Sequence, residues 1–124
     1  MEYLTTEEVI RIHQRMIDEL GGESGILMMG NLKFISSLMD DRYLVDFDLY
    51  TLAAKLMSNL IRGHPFVDGN KRTGFEAGDS FLRKNGRKIK CTPEEGLEFT
   101  LRIARNEIND KEITDWLMKH TTIY

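Results

Sequence analysis

Residues 48–72 read DLYTLAAKLMSNLIRGHPFVDGNKR, and this segment contains the strongest helix signal in the chain. Behind Asp48, a possible N-cap, apolar side chains recur at helical spacing. They are Leu49, Leu52, Ala53, Leu56, Met57 and Leu60. The ring of Pro65 clashes with the backbone of the preceding residue, so we expect the helix to end near Gly63. A second helix is expected to begin near Asn70, with a short polar loop between the two.

Downstream of the loop, the pattern predicts three more elements of helix and one extended segment. The helix from Asn70 should present small residues to a neighbouring helix and end at Asn85-Gly86. Residues 87–91 alternate polar and apolar side chains, as a short extended segment does. Thr92, Pro93 and Glu95 predict the start of another helix, whose inward face should be Leu97, Leu101, Ala104 and Ile108. Asp110 is the expected cap of the last helix, with Ile113, Trp116 and Leu117 turned inward.

Upstream of residue 48, two helices are expected. Thr5 and Glu8 form a capping-box pattern before a helix that should stop at Gly21-Gly22. Residues 23–30 resemble a loop, and Asn31 is a candidate cap for a short helix. The inward side of that helix should be Phe34, Ile35, Leu38 and Met39, and the polar residues 40–48 follow it. The sequence therefore predicts an all-α fold of about six helices in one domain, residues 1–124.

Composition limits the class of function. The chain has 124 residues and a formal net charge of −3, with acidic and basic residues interspersed, so we expect no nucleic-acid partner. Cys91 is the single cysteine, which favours a reducing compartment. No apolar run approaches the roughly 18 residues that span a membrane, and the N-terminus has no secretory pattern. A cytoplasmic protein without membrane contact is the expectation.

The loop at residues 64–72 groups side chains suited to a nucleotide phosphate. The unpaired N–H groups at the start of a helix attract anions, and Gly69 allows close backbone approach. Lys71 and Arg72 add charge-assisted hydrogen bonds. Asp68 offers the hard oxygen that Mg²⁺ prefers when it is also bound by substrate phosphates. His64 can accept a hydroxyl proton near neutral pH.

The segment His64-Pro65-Phe66-Val67-Asp68-Gly69-Asn70-Lys71-Arg72 resembles the Fic/Doc (Fido) family. The family signature is His-x-Phe-x-[Asp/Glu]-[Gly/Ala]-Asn-[Gly/Lys]-Arg, and each specified position is met. Leu-Arg-Lys-Asn-Gly at residues 82–86 and the Gly-Gly after the first helix look like the short Doc-like (death-on-curing) branch. The resemblance implies the compact Fic/Doc helical core, His64 as general base and Asp68 as Mg²⁺ ligand. It also implies Gly69, Asn70, Lys71 and Arg72 as binders of ATP phosphates, while Phe66 is interpreted as an anchor of the loop.

The resemblance further implies a toxin-type protein kinase. It would transfer the γ-phosphoryl group of ATP to a serine or threonine of a protein such as a translation elongation factor. Relatives that transfer AMP usually read Gly-Asn-Gly-Arg-x-x-Arg, whereas this chain has Lys71 and Phe75 at the second Gly and the final Arg. The self-inhibitory pattern [Ser/Thr]-x-x-x-Glu-[Gly/Asn] is not matched at residues 92–96 because the spacing differs. Inhibition by a separate antitoxin protein is therefore expected.

Two alternatives to the kinase remain open at this point. The same residues would transfer AMP if the nucleotide bound with its α-phosphate toward His64. A catalytically inactive module could instead keep the loop to bind a nucleotide or a peptide. Outside the loop, His13 is expected to be a hydrogen-bonded core residue rather than a ligand. Neither Cys91 nor His120 has neighbours that mark a nucleophile or a zinc site.

Overall fold

The structure is a computed structural model that describes residues 1–39 and 48–124. The predicted polar connection at residues 40–47 lies outside these residues. The described elements are α1 (Thr6–Leu20), α2 (Gly30–Leu38), α3 (Leu49–Gly63), α4 (Asn70–Lys84), β1 (Arg87–Ile89), α5 (Pro93–Ala104), α6 (Asp110–Lys119) and β2 (Thr121–Ile123). The prediction of an all-α fold of about six helices is confirmed. Within the described part of the chain, we find no helix with the length and apolarity needed to cross a bilayer.

Helix α3 lies at the centre of the fold and contacts α2, α4, α5 and α6. The predicted stripe is buried from Leu52 to Leu60, Leu49 is half-buried, and α4 packs against α3 through two glycines. A Cβ atom at Gly74 would lie 2.6 Å from Cγ1 of Ile61, and one at Gly78 would overlap the side chain of Met57. The small residues of α4 therefore set the close approach of the two helices that flank the loop.

Three of the predicted helix caps are confirmed, and two are wrong. Thr5, Asp48 and Thr92 accept backbone N–H groups of the helices that they precede, as predicted. The prediction that Asn31 caps α2 is wrong, because the helix already begins at Gly30 and the Asn31 amide donates to the carbonyl of Gly63. The prediction of Asp110 as the last cap is also wrong. Asn109 has the extended backbone of an N-cap and accepts the N–H of Glu112.

The prediction of which side of α5 is buried is wrong. Leu97 is 61% exposed and Ala104 is exposed, whereas the buried side of the helix consists of Gly96, Phe99, Thr100 and Ile103. Ile108 is buried but follows the end of the helix at Ala104. Leu97 and Ala104 face a cleft instead of the core. Apolar side chains that line a cleft recur at the same helical spacing as those in a core, so the pattern does not distinguish the two.

The C-terminal segment closes the fold with a short sheet. The extended segment predicted at residues 87–91 is confirmed as β1, which pairs antiparallel with β2, with Arg87 opposite Ile123. No strand was predicted at the C-terminus, where the apolar pattern is too short to be distinctive. Trp116 of α6 is partly buried and stacks between Phe99 and the ring of His120. These contacts hold α5 against the C-terminal end of α6.

Candidate active site

The loop lies between the C-terminal end of α3 and the N-terminal end of α4. Helix α3 ends at Gly63 as predicted, and His64 follows in a left-handed conformation with φ 49° and ψ 55°. This conformation costs a residue other than glycine about 1–2 kcal/mol. Gly69, with φ 77°, then turns the chain into α4. The His64 side chain is exposed and lines a cleft.

Asn70 braces the loop from inside. Its side chain is 5% exposed, and its amide accepts the N–H of Phe66 at 3.0 Å and donates to the carbonyl of the same residue at 2.9 Å. Both polar groups of the amide are thus occupied by the backbone of the loop. The backbone N–H of Asn70 stands at the first position of α4, where N–H groups have no partner within the helix.

Phe66 is buried beneath the loop and stacks on His13 of α1. The ring centroids lie 3.7 Å apart, and the planes differ by 3°. The Nε2 atom of His13 lies 2.8 Å from the backbone oxygen of Asp68. The prediction that His13 is a buried, hydrogen-bonded residue is confirmed, but its contact with the loop was not foreseen. Helical periodicity placed His13 on the apolar side of α1, and no sequence signal identifies its partner.

Residues 25–28 pair with the loop along its outer edge. Ile26 and Phe66 form an isolated antiparallel bridge, and the N–H of Val67 donates to the carbonyl of Gly25 at 3.1 Å. The carbonyl of Pro65 accepts the N–H groups of residues 27 and 28 at 2.8 and 2.9 Å. The sequence predicted a loop at residues 23–30 but not this pairing, because a single bridge leaves no alternating pattern.

Asp68 lies at the surface with its carboxylate against the exit from α1. One oxygen accepts the N–H of Gly69 at 2.9 Å and the other that of Glu23 at 3.3 Å. A carboxylate offers about four lone-pair sites, so two backbone donors leave room for a cation. Among residues 1–39 and 48–124, no three acidic, histidine or cysteine side chains gather to hold a metal. A single carboxylate fits Mg²⁺ that takes its other ligands from phosphate and water.

An open cleft of about 1010 Å³ extends from the loop to α5. Its polar wall carries His64 and Asp68 together with the first turn of α4, where Lys71 and Arg72 are exposed. The Nε atom of Arg72 lies 3.5 Å from a carboxylate oxygen of Glu76, one turn along the helix. An exposed pair of this kind contributes little to stability, so Arg72 can move to an anion in the cleft.

The opposite wall of the cleft belongs to α5 and the segment before it. Pro93, Leu97 and Ala104 give it an apolar surface, with the thiol of Cys91 at its edge. Burial raises the pKa of the Cys91 thiol, and the negative charges of Glu95 and Asp79 raise it further. The thiol is therefore neutral at physiological pH, as expected for a residue without a nucleophilic role.

Arg62 borders the cleft but is engaged elsewhere. Its guanidinium donates to the carbonyl of Ile103 at 3.0 Å, to the hydroxyl of Ser58 at 2.9 Å and to the carbonyl of Ile108. Asp110 lies 3.7 Å from it as an ion-pair partner. These contacts hold the turn between α5 and α6 against the end of α3, so Arg62 supports the far wall of the cleft.

The sequence of the chain is similar to those of known proteins. The sequence model of the Fic/DOC family matches residues 3–82, which include the whole loop. The chain is 31% identical over 121 residues to the protein kinase doc of Escherichia phage P1, covering 96% of this chain and 95% of the relative. A shorter match, 50% identical over 38 residues, links it to the toxin Doc of Mycolicibacterium smegmatis, covering 31% of this chain and 29% of the relative.

Proposed function

The chain belongs to the Fic/DOC family, and from this membership we propose that it is a Doc-like protein kinase of the toxin type. The substrate is a serine or threonine hydroxyl of a protein, such as a translation elongation factor, and the phosphoryl donor is ATP. One observation carries the proposal. The exposed side chains of His64 and Asp68 border the same cleft as the N-terminal turn of α4 with its two cations, Lys71 and Arg72.

The proposed reaction is an in-line displacement at the γ-phosphorus. The protein hydroxyl oxygen forms a bond to the γ-phosphorus while the bond to the bridging oxygen breaks, and ADP leaves with the electron pair. His64 accepts the hydroxyl proton. The N–H groups at the start of α4, with Lys71 and Arg72, stabilise the negative charge on the phosphate oxygens. Mg²⁺ held by Asp68 and the substrate phosphates would supply charge neutralisation.

Phosphoryl transfer is favoured over AMP transfer by the residue at position 75. An arginine there would extend a second guanidinium toward the nucleotide phosphates. Phe75 instead lines the cleft with an apolar ring, and its edge would lie 3.5 Å from a Cβ atom at Gly96 of α5. A nucleotide at the loop thus meets cations at one end of α4 and an apolar surface one turn further along.

An antitoxin protein is the proposed inhibitor. His64 is exposed beside the open cleft, and the segment at residues 92–96 that borders the cleft lacks the self-inhibitory spacing. Inhibition therefore falls to a separate chain that packs across the site. One relative is named a toxin, which supports this proposal, and we propose the cytoplasm as the location of both proteins.

The test is to follow the label from ATP into protein. The purified protein is incubated with Mg²⁺, a bacterial lysate and ATP labelled at either the α or the γ position. We expect label in protein from the γ position alone. Label from the α position would identify an AMP transferase. If ATP binds and neither label is transferred, even with purified elongation factor added, the kinase proposal fails and the protein is an inactive binding module.

A further inference from the structure

His13 lies on the buried side of α1, 3% exposed, and is distant in sequence from the loop that it contacts. Its ring makes two contacts with that loop, one through its face and one through its edge. The face stacks on Phe66 at 3.7 Å, and Nε2 lies 2.8 Å from the backbone oxygen of Asp68. A buried imidazole needs a hydrogen-bond partner, and here that partner is the backbone of an exposed residue of the loop.

The chemistry of this hydrogen bond fixes the ring. A carbonyl oxygen accepts and never donates, so Nε2 must carry the proton. The donated bond holds the Asp68 carbonyl, and with it the plane of the peptide that joins Asp68 to Gly69. The N–H of that peptide is the one that donates to the Asp68 carboxylate at 2.9 Å. The orientation of the His13 ring is thereby transmitted to the carboxylate.

Helix α1 also supports the loop at two further points. A Cβ atom at Gly69 would contact the His13 ring at 3.7 Å and Ile17 at 3.5 Å, so the turn into α4 rests on this helix. At the exit from α1, the N–H of Glu23 donates to the second carboxylate oxygen of Asp68. The main chain and the side chain of Asp68 are therefore both held by α1 and the residues that follow it.

We infer that His13 is a positioning residue of the phosphate-transfer site. Its Nε2–H sets the orientation of the Asp68 carbonyl, its ring seats Phe66, and together they fix the Asp68 carboxylate and the first N–H groups of α4. The catalytic consequence rests on the proposed function, whereas the control of the loop does not. Residues that orient a metal-binding carboxylate typically change metal affinity or activity by roughly 10- to 100-fold when replaced.

Two substitutions each remove one of the two contacts of the His13 ring. His13→Phe keeps a flat ring against Phe66 and removes the donor, whereas His13→Gln keeps an N–H donor with similar reach and removes the ring. We expect His13→Phe to lower kcat by roughly tenfold and to raise the Mg²⁺ concentration at half-maximal rate. The KM for the protein substrate should be unchanged. His13→Gln should recover most of the loss, which a purely space-filling role does not predict.

A second measurement needs no activity. Amide exchange of Phe66, Val67 and Gly69, followed by NMR without nucleotide, reports whether the loop is held. We expect faster exchange at these amides in His13→Phe than in His13→Gln, with the amides of α6 unchanged in both. In the native protein, ¹⁵N spectra of the His13 ring should show the proton on Nε2, an observation that requires no variant to fold.

The outcomes distinguish this inference from the proposed function. If the native protein transfers no phosphate while His13→Phe loosens the loop, the kinase proposal fails and the role of His13 in the loop remains. Unchanged amide exchange and unchanged Mg²⁺ dependence in a folded His13→Phe would overturn the inference. A proton found on Nδ1 alone in the native protein would overturn it as well, whether or not the variants fold.

Discussion

The polar wall of the cleft and the apolar wall opposite it differ in how their side chains are held. Behind the polar wall, the buried side chains of Phe66 and Asn70 are stacked or hydrogen-bonded, and they support the loop that presents the exposed groups of His64 and Asp68. On the apolar wall, Leu97 is 61% exposed and belongs to the outer side of α5. The loop that presents His64 and Asp68 is held by specific contacts within the fold, whereas Leu97 contributes exposed apolar surface.

This difference leads us to expect different roles for the two walls. A site that stabilises charge in a transition state needs groups whose orientation is set before the substrate arrives. A surface that binds an apolar part of a ligand needs only area and shape. We therefore expect substitutions on the polar wall to reduce turnover and substitutions on the apolar wall to weaken binding, and the predictions below test this contrast.

The largest effect is expected at His64. His64→Ala removes the proposed proton acceptor and should lower kcat for phosphate transfer by roughly 10²- to 10⁴-fold. The side chain is exposed, so the free energy of unfolding should change by no more than about 0.5 kcal/mol. Steady-state kinetics and thermal unfolding measure the two quantities. Lys119→Ala, at an exposed residue of α6 outside the cleft, is the control and should keep its activity.

A smaller loss is expected from Gly22→Ala. A Cβ atom at Gly22 would lie 2.7 Å from a carboxylate oxygen of Asp68, so this side chain must swing away. Gly21 also has a positive φ, 85°, but open space around it. Both alanine variants should lose about 1–3 kcal/mol of stability through backbone strain.

Phosphate transfer and its Mg²⁺ dependence should change in Gly22→Ala alone, by about tenfold. The comparison with Gly21→Ala at a temperature where both variants are folded separates the carboxylate shift from the strain. Equal activity in the two variants would mean that the contact between Gly22 and Asp68 does not matter for the reaction.

On the apolar wall, Leu97→Ala should act on binding. Removing part of an exposed side chain that lines the cleft forfeits about 1 kcal/mol of apolar contact with a bound ligand, which corresponds to roughly a fivefold rise in KM. The kcat should be unchanged. Met118→Ala, at a similarly exposed apolar residue of α6, provides the control. A fall in kcat with constant KM in Leu97→Ala would remove the distinction between the walls.

The smallest effect concerns Cys91, the single cysteine, as a probe of the cleft. Burial and two nearby carboxylates raise the pKa of its thiol, so at neutral pH the reactive thiolate is rarer than in a free cysteine. Alkylation by iodoacetamide should be slower than that of a model thiol and should accelerate only at higher pH. ATP with Mg²⁺ should slow it further by several-fold at saturation. Mass spectrometry over time measures the rates, and an unchanged rate would place ATP away from Cys91.

Much of the fold and the site could be predicted from local patterns. The stripe of α3, the stop at Pro65 and the capping boxes involve neighbours in sequence, and all three were confirmed. Long-range contacts were not predictable. The bond from His13 to Asp68, the pairing of residues 25–28 with the loop and the turn of the Asn70 side chain toward Phe66 depend on how distant or buried groups meet.

The error on α5 has a physical lesson. Leu97 and Ala104 recur at helical spacing, and that spacing cannot distinguish a face that meets a core from one that meets a ligand. The buried side of α5 contains Gly96 and Thr100, which a hydrophobic pattern overlooks. We expect a helix whose buried side includes small and polar residues where that helix both lines a cleft and packs on the core.

The most direct test of the account is the mass of a purified bacterial translation elongation factor after incubation with the protein, ATP and Mg²⁺. We predict a gain of one phosphoryl group on a serine or threonine with the native protein and no gain with His64→Ala. A gain of an adenylyl group would contradict the assignment of the γ-phosphorus as the point of attack. A phosphoryl gain that persists in His64→Ala would contradict the role of the loop itself.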